Sequence, residues 1–433
     1  MIDNGAVRIR RVGVAVRCWS LLCVATLVVT GVPATAAERA VDSPRTWHVG
    51  PDRRLATPSA AAAVARDGDT VLIDPGTYVG DVATWTQDDL TLRGVGGRPH
   101  LQADGSSAQG KAIWVIAGDR TTVDRLEFSG ATVPDQNGAG IRQEGAGLTV
   151  TRSSFHDNQN GILTGADPGS DIVIARSRFF RNGTGDGQTH NLYIGAVRSL
   201  TVTGSYLWGA DTGHELKSRA ATNTITGNRI TDGDATASYS VDLPNGGRSP
   251  IAGNVIIQGP NSENSALVSY GAEGFPDAGS RVLWVVNNTF VNRRATGTFV
   301  QLAERSRANL RNNLLVGPGV VTNLGAVSAQ ANRRVGSKGF ADPAADDFSL
   351  RATSPAIDRG VRVPERWRPR WEYAHPTNRI RRPSVGRVDL GAYERRSPRE
   401  ARFGYSDALA RACPVRTRTR PHVGMVHVIC QHI

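Results

Sequence analysis

The segments LTVTRSSF at 148–155, IVIARSRF at 172–179 and LTVTGSYL at 200–207 decide the fold. Each is a short alternating strand, a two-residue break and a return to an apolar residue. TTVDRLEF, ending at Phe128, shares the pattern, as do four later segments ending at Ile230, Ile256, Phe290 and Leu315. Successive ends from Phe128 to Leu315 lie 27, 24, 28, 23, 26, 34 and 25 residues apart, and the long step contains an insertion, 271–281. A repeat of this length, built of strands broken by Gly and Asn, means a solenoid. The strands are too short and too β-branched for helical or leucine-rich repeats. Three short strands per coil fit the period, so the expected fold is all-β: a right-handed parallel β-helix, a single-stranded solenoid, with an N-terminal capping helix.

A second periodicity supports the stacking. Two positions before the final apolar residue stand Ser153, Ser177 and Ser205, then Asn228, Asn254, Asn288 and Asn313. Stacked amides hydrogen-bond from coil to coil, and Asn tolerates a left-handed turn, so these residues form a structural internal ladder. The Ala-rich stretch 58–66 is helical in character and precedes a strand at 69–74, where it covers the open first coil. The period places the β-helix at 69–330, an N-terminal segment with its capping helix at 37–68, and a closing segment at 331–394. In the last, SPAIDRG at 354–360 and VDLGAYE at 388–394 resemble the closing segment of secreted bacterial β-helix proteins.

The net charge of +12 sits at the two ends. Residues 1–17 hold four Arg and one Asp; residues 361–433 hold sixteen Arg against six acids. The body between them is near neutral, which argues against a nucleic-acid partner. Arg8, Arg10, Arg11 and Arg17 precede an apolar run, 18–32, followed by a small-residue exit at 34–37. This reads as a signal peptide, 1–36, and predicts a secreted monomer with no membrane association after cleavage. Cys413 and Cys430 remain in the basic tail, 395–433, where one disulfide is open to them. No Cys/His spacing points to zinc.

Between repeats, HNLYIGA at 190–196 aligns without gaps to HELKSRA at 214–220, and YSVDLPNG follows at 239–246. With Leu192, Leu216 and Val241 inward, alternation turns Tyr193, Lys217 and Asp242 outward in one column. Asn191, Glu215 and Ser240 fall one step before it, Gly195, Arg219 and Pro244 one step after. His190, His214 and Asn245 flank the patch. Coils stack about 4.8 Å apart, so these groups span about 10 Å. The chain has only three lysines, Lys111, Lys217 and Lys338, against forty-eight arginines. A lysine at the centre of the patch therefore implies a group able to lose a proton. Tyr193, His190, His214 and Asp242 add proton-transfer groups. Arg142, with His156 and Asp157, is placed to extend the groove on one side, and Glu273 in the insertion on the other. Trp208, Tyr270 and Trp284 are candidates either for stacking on sugars or for ordinary packing.

This set suits removal of the acidic proton beside a uronate carboxylate. Arg219 or a bound cation neutralises the carboxylate, Lys217, Tyr193 or a neutral histidine takes the proton, and an acid protonates the leaving oxygen. The result is β-elimination; return of the proton to the opposite face is C5-epimerisation. The expected partner is an acidic polysaccharide.

LKSRAATNTITGN at 216–228 resembles the segment around the catalytic lysine of the alginate lyase and chondroitinase B-like polysaccharide lyases, within the pectate-lyase-like superfamily. The resemblance implies Lys217 as base and Asn191 and Glu215 as calcium ligands. Where that family has an arginine one coil later, this chain has Asp242-Leu243-Pro244-Asn245. Two other readings stand beside it. Glu215 and Asp242, offset to about 8 Å, match the separation of an inverting glycoside hydrolase pair. A non-catalytic carbohydrate-binding or adhesion solenoid is the other.

Overall fold

The computed structural model describes residues 43–325 and 327–396. The signal peptide, Cys413, Cys430 and the tail beyond residue 396 lie outside them. Three long sheets, of twelve, eleven and ten strands, run side by side, and every strand pairing within them is parallel. Each coil visits the sheets in turn. A typical coil runs through Leu148–Thr151 in the first sheet, Ser154–His156 in the second and Asn160–Thr164 in the third, then climbs to Asp171–Ala175 in the first again.

The alternation read from the repeats sets the inside. Val123, Val150, Ile174 and Val202 are inward and fully buried in the first sheet, paired in register coil to coil. Phe128, Phe155 and Phe179 do the same in the second, with ring centroids 4.9 Å apart at each step. Full burial of such a ring is worth about 1.5–3 kcal/mol, and the fold sums this over every coil.

The ladder lies in the turn between the first and second sheets. The Asn228 carboxamide oxygen accepts from Ser205 N–H at 2.9 Å, Asn254 accepts from Asn228 N–H at 2.9 Å and Asn288 from Asn254 N–H at 3.0 Å. Asn313 and Asn332 carry it onward. The left-handed residue of the turn is the one before the ladder position: Arg152, Arg176, Gly204, Gly227 and Gly253 all have φ of 51–67°. The ladder side chains therefore satisfy backbone groups, while their predecessors make the bend.

The ends differ from the period-based boundaries. Thr46–Val49 already pairs with Thr70–Ile73, so the first strand precedes the helix. The helix is Pro58–Ala62, capped by the Thr57 hydroxyl, and is shorter than 58–66 because Asp69 accepts from Arg66 N–H and turns the chain into the next strand. It packs against Ala83–Trp85, the first strand of the third sheet, with Ala61 fully buried. At the other end Arg333–Arg334 still pairs with the second sheet. Residues beyond it form two antiparallel hairpins. Phe340, Phe348, Ala356, Leu390 and Ala392 pack on Val255, Ile257, Val291 and Leu314, the outer side of the second sheet. No helix among the described residues is long and apolar enough to cross a membrane.

Candidate active site

The third sheet has its own outward column. Arg142 pairs with Leu163, Leu163 with Tyr193, Tyr193 with Lys217, Lys217 with Asp242 and Asp242 with Ser269. Leu192, Leu216 and Val241 beside them are fully buried inward. Tyr193, Lys217 and Asp242 thus stand on three successive coils of one face.

Their side chains meet. The Lys217 ammonium lies 3.6 Å from one Asp242 oxygen, and His214 Nε2 lies 3.3 Å from the same oxygen. Burial alone would raise the Asp242 carboxyl, but the His214 hydrogen bond and the nearby His214 and Lys217 charges hold it below its usual range. Arg219 Nε donates to the Tyr193 hydroxyl oxygen at 3.0 Å, and its Nη1 donates to the Asn245 carbonyl oxygen at 2.7 Å. The same guanidinium grips Glu273 through two bonds, 2.6 and 2.9 Å.

Glu273 reaches the site because the insertion folds back on the coil below. Its N–H donates to Pro244 O at 2.9 Å, and Ser280 N–H and hydroxyl donate to Asp277. The Phe275 ring lies against Gly246 and Gly271, both at positive φ, where a Cβ would fall 2.6 and 2.3 Å from ring atoms. Only glycine leaves room for that contact.

His190 is placed behind the site. It is 2% exposed, its Nδ1 accepts from His214 N–H at 3.0 Å, and its ring stacks on His214 with centroids 4.8 Å apart. Burial and the His214, Lys217 and Arg219 charges push its pKa well below the ordinary histidine value. It is a neutral support for His214 rather than a group that meets substrate.

Three expectations are corrected. Asn191 and Glu215 do not face the groove; both are fully buried. The strands begin at Leu192 and Leu216, so these residues lie in the preceding turn, where alternation does not apply. Glu215 accepts from Ala210 N–H at 2.9 Å and, through its other oxygen, from the Asn191 amide. Asn191 in turn accepts from the Asn182 amide. Burial and the Asp232 charge raise the Glu215 carboxyl well above its usual range. A carboxyl fully buried away from the groove, with both oxygens engaged, does not fit calcium, and it cannot pair with Asp242 across a sugar.

Arg142 shares the face but stands two strands before Tyr193. Leu163 lies between them, and Arg142 Nε is 3.6 Å from Glu144. His156 is on the second sheet, as is Trp208; Trp208 stacks on Phe180. Tyr270 is buried and Trp284 packs on Trp367, so none of the three aromatics serves this groove.

Residues 102–256 match the family described as right handed beta helix region. The fold is a right-handed parallel β-helix. A solved pectate lyase, Pel9A, shares the β-helix with a TM-score of 0.60, at 16% identity, over 82% of this chain and 98% of that one. ORF18 of Geobacillus virus E2 aligns at TM-score 0.37 and 13% identity, over 64% of this chain and 56% of its own. A pectin methylesterase mutant in complex with a hexasaccharide aligns at TM-score 0.30 and 13% identity, over 67% and 93%. No curated protein matches the chain.

Proposed function

We propose that this β-helix protein acts on an acidic polysaccharide and cleaves it by β-elimination beside a uronate carboxylate. The observation that carries the reading is the column Tyr193, Lys217 and Asp242, in register on three coils, with Arg219 bonded to Tyr193. The likeness in fold to a pectate lyase agrees with it.

Each group has a role. Arg219 offers the fork that binds a carboxylate through two parallel bonds, which makes the adjacent C5 proton more acidic. Lys217, after losing its own proton to solvent, takes that proton. The C5 electron pair forms the C4–C5 double bond and the C4–O bond breaks. Tyr193 gives its hydroxyl proton to the leaving oxygen, while Arg219 Nε bonds the phenol oxygen that remains. Asp242 holds the ammonium formed at Lys217, and His214 orients Asp242. Asn245 presents its amide beside Arg219 for a sugar hydroxyl. Return of the C5 proton from the other face gives the epimerase outcome on the same residues.

The test is a product assay on pectate, alginate and sulfated glycosaminoglycans. Ultraviolet absorbance of an unsaturated uronate end supports the elimination. New reducing ends without that absorbance mean hydrolysis and overturn it. Solvent deuterium entering intact polymer at C5 means epimerisation. Binding without any change of the polymer leaves a carbohydrate-binding solenoid.

A further inference from the structure

The outer side of the second sheet carries a different cluster. His100, Glu127 and His156 belong to three consecutive coils, on strands His100–Gln102, Glu127–Ser129 and Ser154–His156. His100 pairs directly with Glu127, and His156 pairs with Ser129 two residues further on. One ligating atom from each of the three lies within 4.8 Å of the others. All three residues are partly exposed.

The internal bonds of the cluster favour a cation. His156 Nδ1 is 2.6 Å from Asp157 Oδ2, and Asp157 is held by Arg181 through bonds of 2.8 and 2.7 Å. A carboxylate on Nδ1 keeps a proton there and turns Nε2 toward Glu127, the arrangement that orients a metal-bound imidazole. That Nε2 faces Glu127 Oε1 at 2.9 Å. A lone pair and a carboxylate oxygen this close need a proton or a cation between them. His100, whose Nε2 lies 2.7 Å from the Ser129 hydroxyl, supplies the third donor. Phe180 stacks on His156 with centroids 4.7 Å apart, and Trp208 stacks on Phe180 at 4.2 Å, so the His156 ring is braced.

We propose that His100, Glu127 and His156 bind one divalent transition metal of the zinc class and tie three coils together. Two imidazoles and one carboxylate suit zinc, with water in the fourth position, and do not suit calcium or magnesium. Arg98 and Arg178 act on Glu127 by their charge, which disfavours an ion held by charge alone and selects one held by nitrogen.

The first test uses the unaltered full chain. Zinc protects His100 and His156 from diethyl pyrocarbonate, read peptide by peptide in a mass spectrum, while calcium does not. Unchanged modification of both histidines at saturating zinc overturns the proposal. The second test counts zinc per chain after equilibrium dialysis. His100→Ala, His156→Ala and Glu127→Gln each bind one zinc fewer than the parent, whatever other histidines and cysteines hold. Equal zinc in the parent and in the His100→Ala/His156→Ala double variant overturns it as well.

Discussion

Glu273 and Arg219 are joined by two parallel hydrogen bonds, so a carboxylate already occupies the guanidinium fork. Glu273 is 48% exposed in its side chain and sits on the insertion rather than on a strand. It stands where a uronate carboxylate belongs in the proposed reaction, and substrate must displace it. Glu273→Gln keeps the shape and removes the competing charge. Its KM for the acidic polymer is expected to fall about fivefold, the scale of one exposed ion pair. Arg219→Lys keeps the charge and loses the fork, and a KM about tenfold higher is expected. Steady-state kinetics on the polymer found active in the product assay read both, and an unmoved KM in both variants removes the fork from substrate binding.

Lys217→Ala is expected to lower kcat by about 10²- to 10⁴-fold, the usual contribution of a general base. Lys217→Arg should be no better, because a guanidinium holds its proton at working pH. Far-ultraviolet circular dichroism should match the parent in both, since the side chain points away from the core. Full activity in either variant excludes Lys217 as the base.

Inside the coil, Asp232 predicts a pH effect on stability. Burial raises its carboxyl from 3.8 to about 7, although the Ser262 hydroxyl and Gly259 N–H donate to it. The folded chain therefore keeps a proton that the unfolded chain loses. The stability this group contributes is complete below about pH 4 and is lost as pH rises toward about 7. Asp232→Asn should flatten that slope by up to one proton, measured as the midpoint of chemical unfolding between about pH 4 and about pH 8. A parallel slope in the variant excludes Asp232 as its source.

The ladder predicts a cost of a different kind. Asn254 accepts from Asn228 N–H and donates to Ile225 O and to the Asn288 amide oxygen. Asn254→Ala leaves the Asn228 N–H and the Ile225 carbonyl, two buried backbone groups of the neighbouring coil, without their side-chain partner, and about 1–3 kcal/mol of stability is expected to go. A shift in the urea midpoint worth less than half of that shows water replacing the amide.

Much of this architecture was legible because a solenoid repeats its physics. The period gave the coils, and alternation gave Tyr193, Lys217 and Asp242 on one face. Alternation failed at Asn191 and Glu215 because it holds only within a strand. One residue earlier the chain is still turning, and Glu215 bends inward to bond Ala210 N–H, continuing the buried chain of amides from Asn158 through Asn182 to Asn191. The cluster of His100, Glu127 and His156 gave no local spacing at all. Its members are 27 and 29 residues apart and become neighbours only when coils stack in register. The role of Glu273 was hidden for a related reason: the insertion has no period, and Phe275 against two glycines decides where it lands.

The Asn ladder also sets how such a chain can change length. Each amide touches only the rungs above and below it, so one whole turn added or deleted between ladder positions leaves both seams chemically as they were. A piece of any other size has no rung to join and is pushed out sideways, as 271–281 has been. Growth by complete turns and decoration by partial ones are thus separate routes of change, and here the second has delivered an acidic side chain to the mouth of the groove.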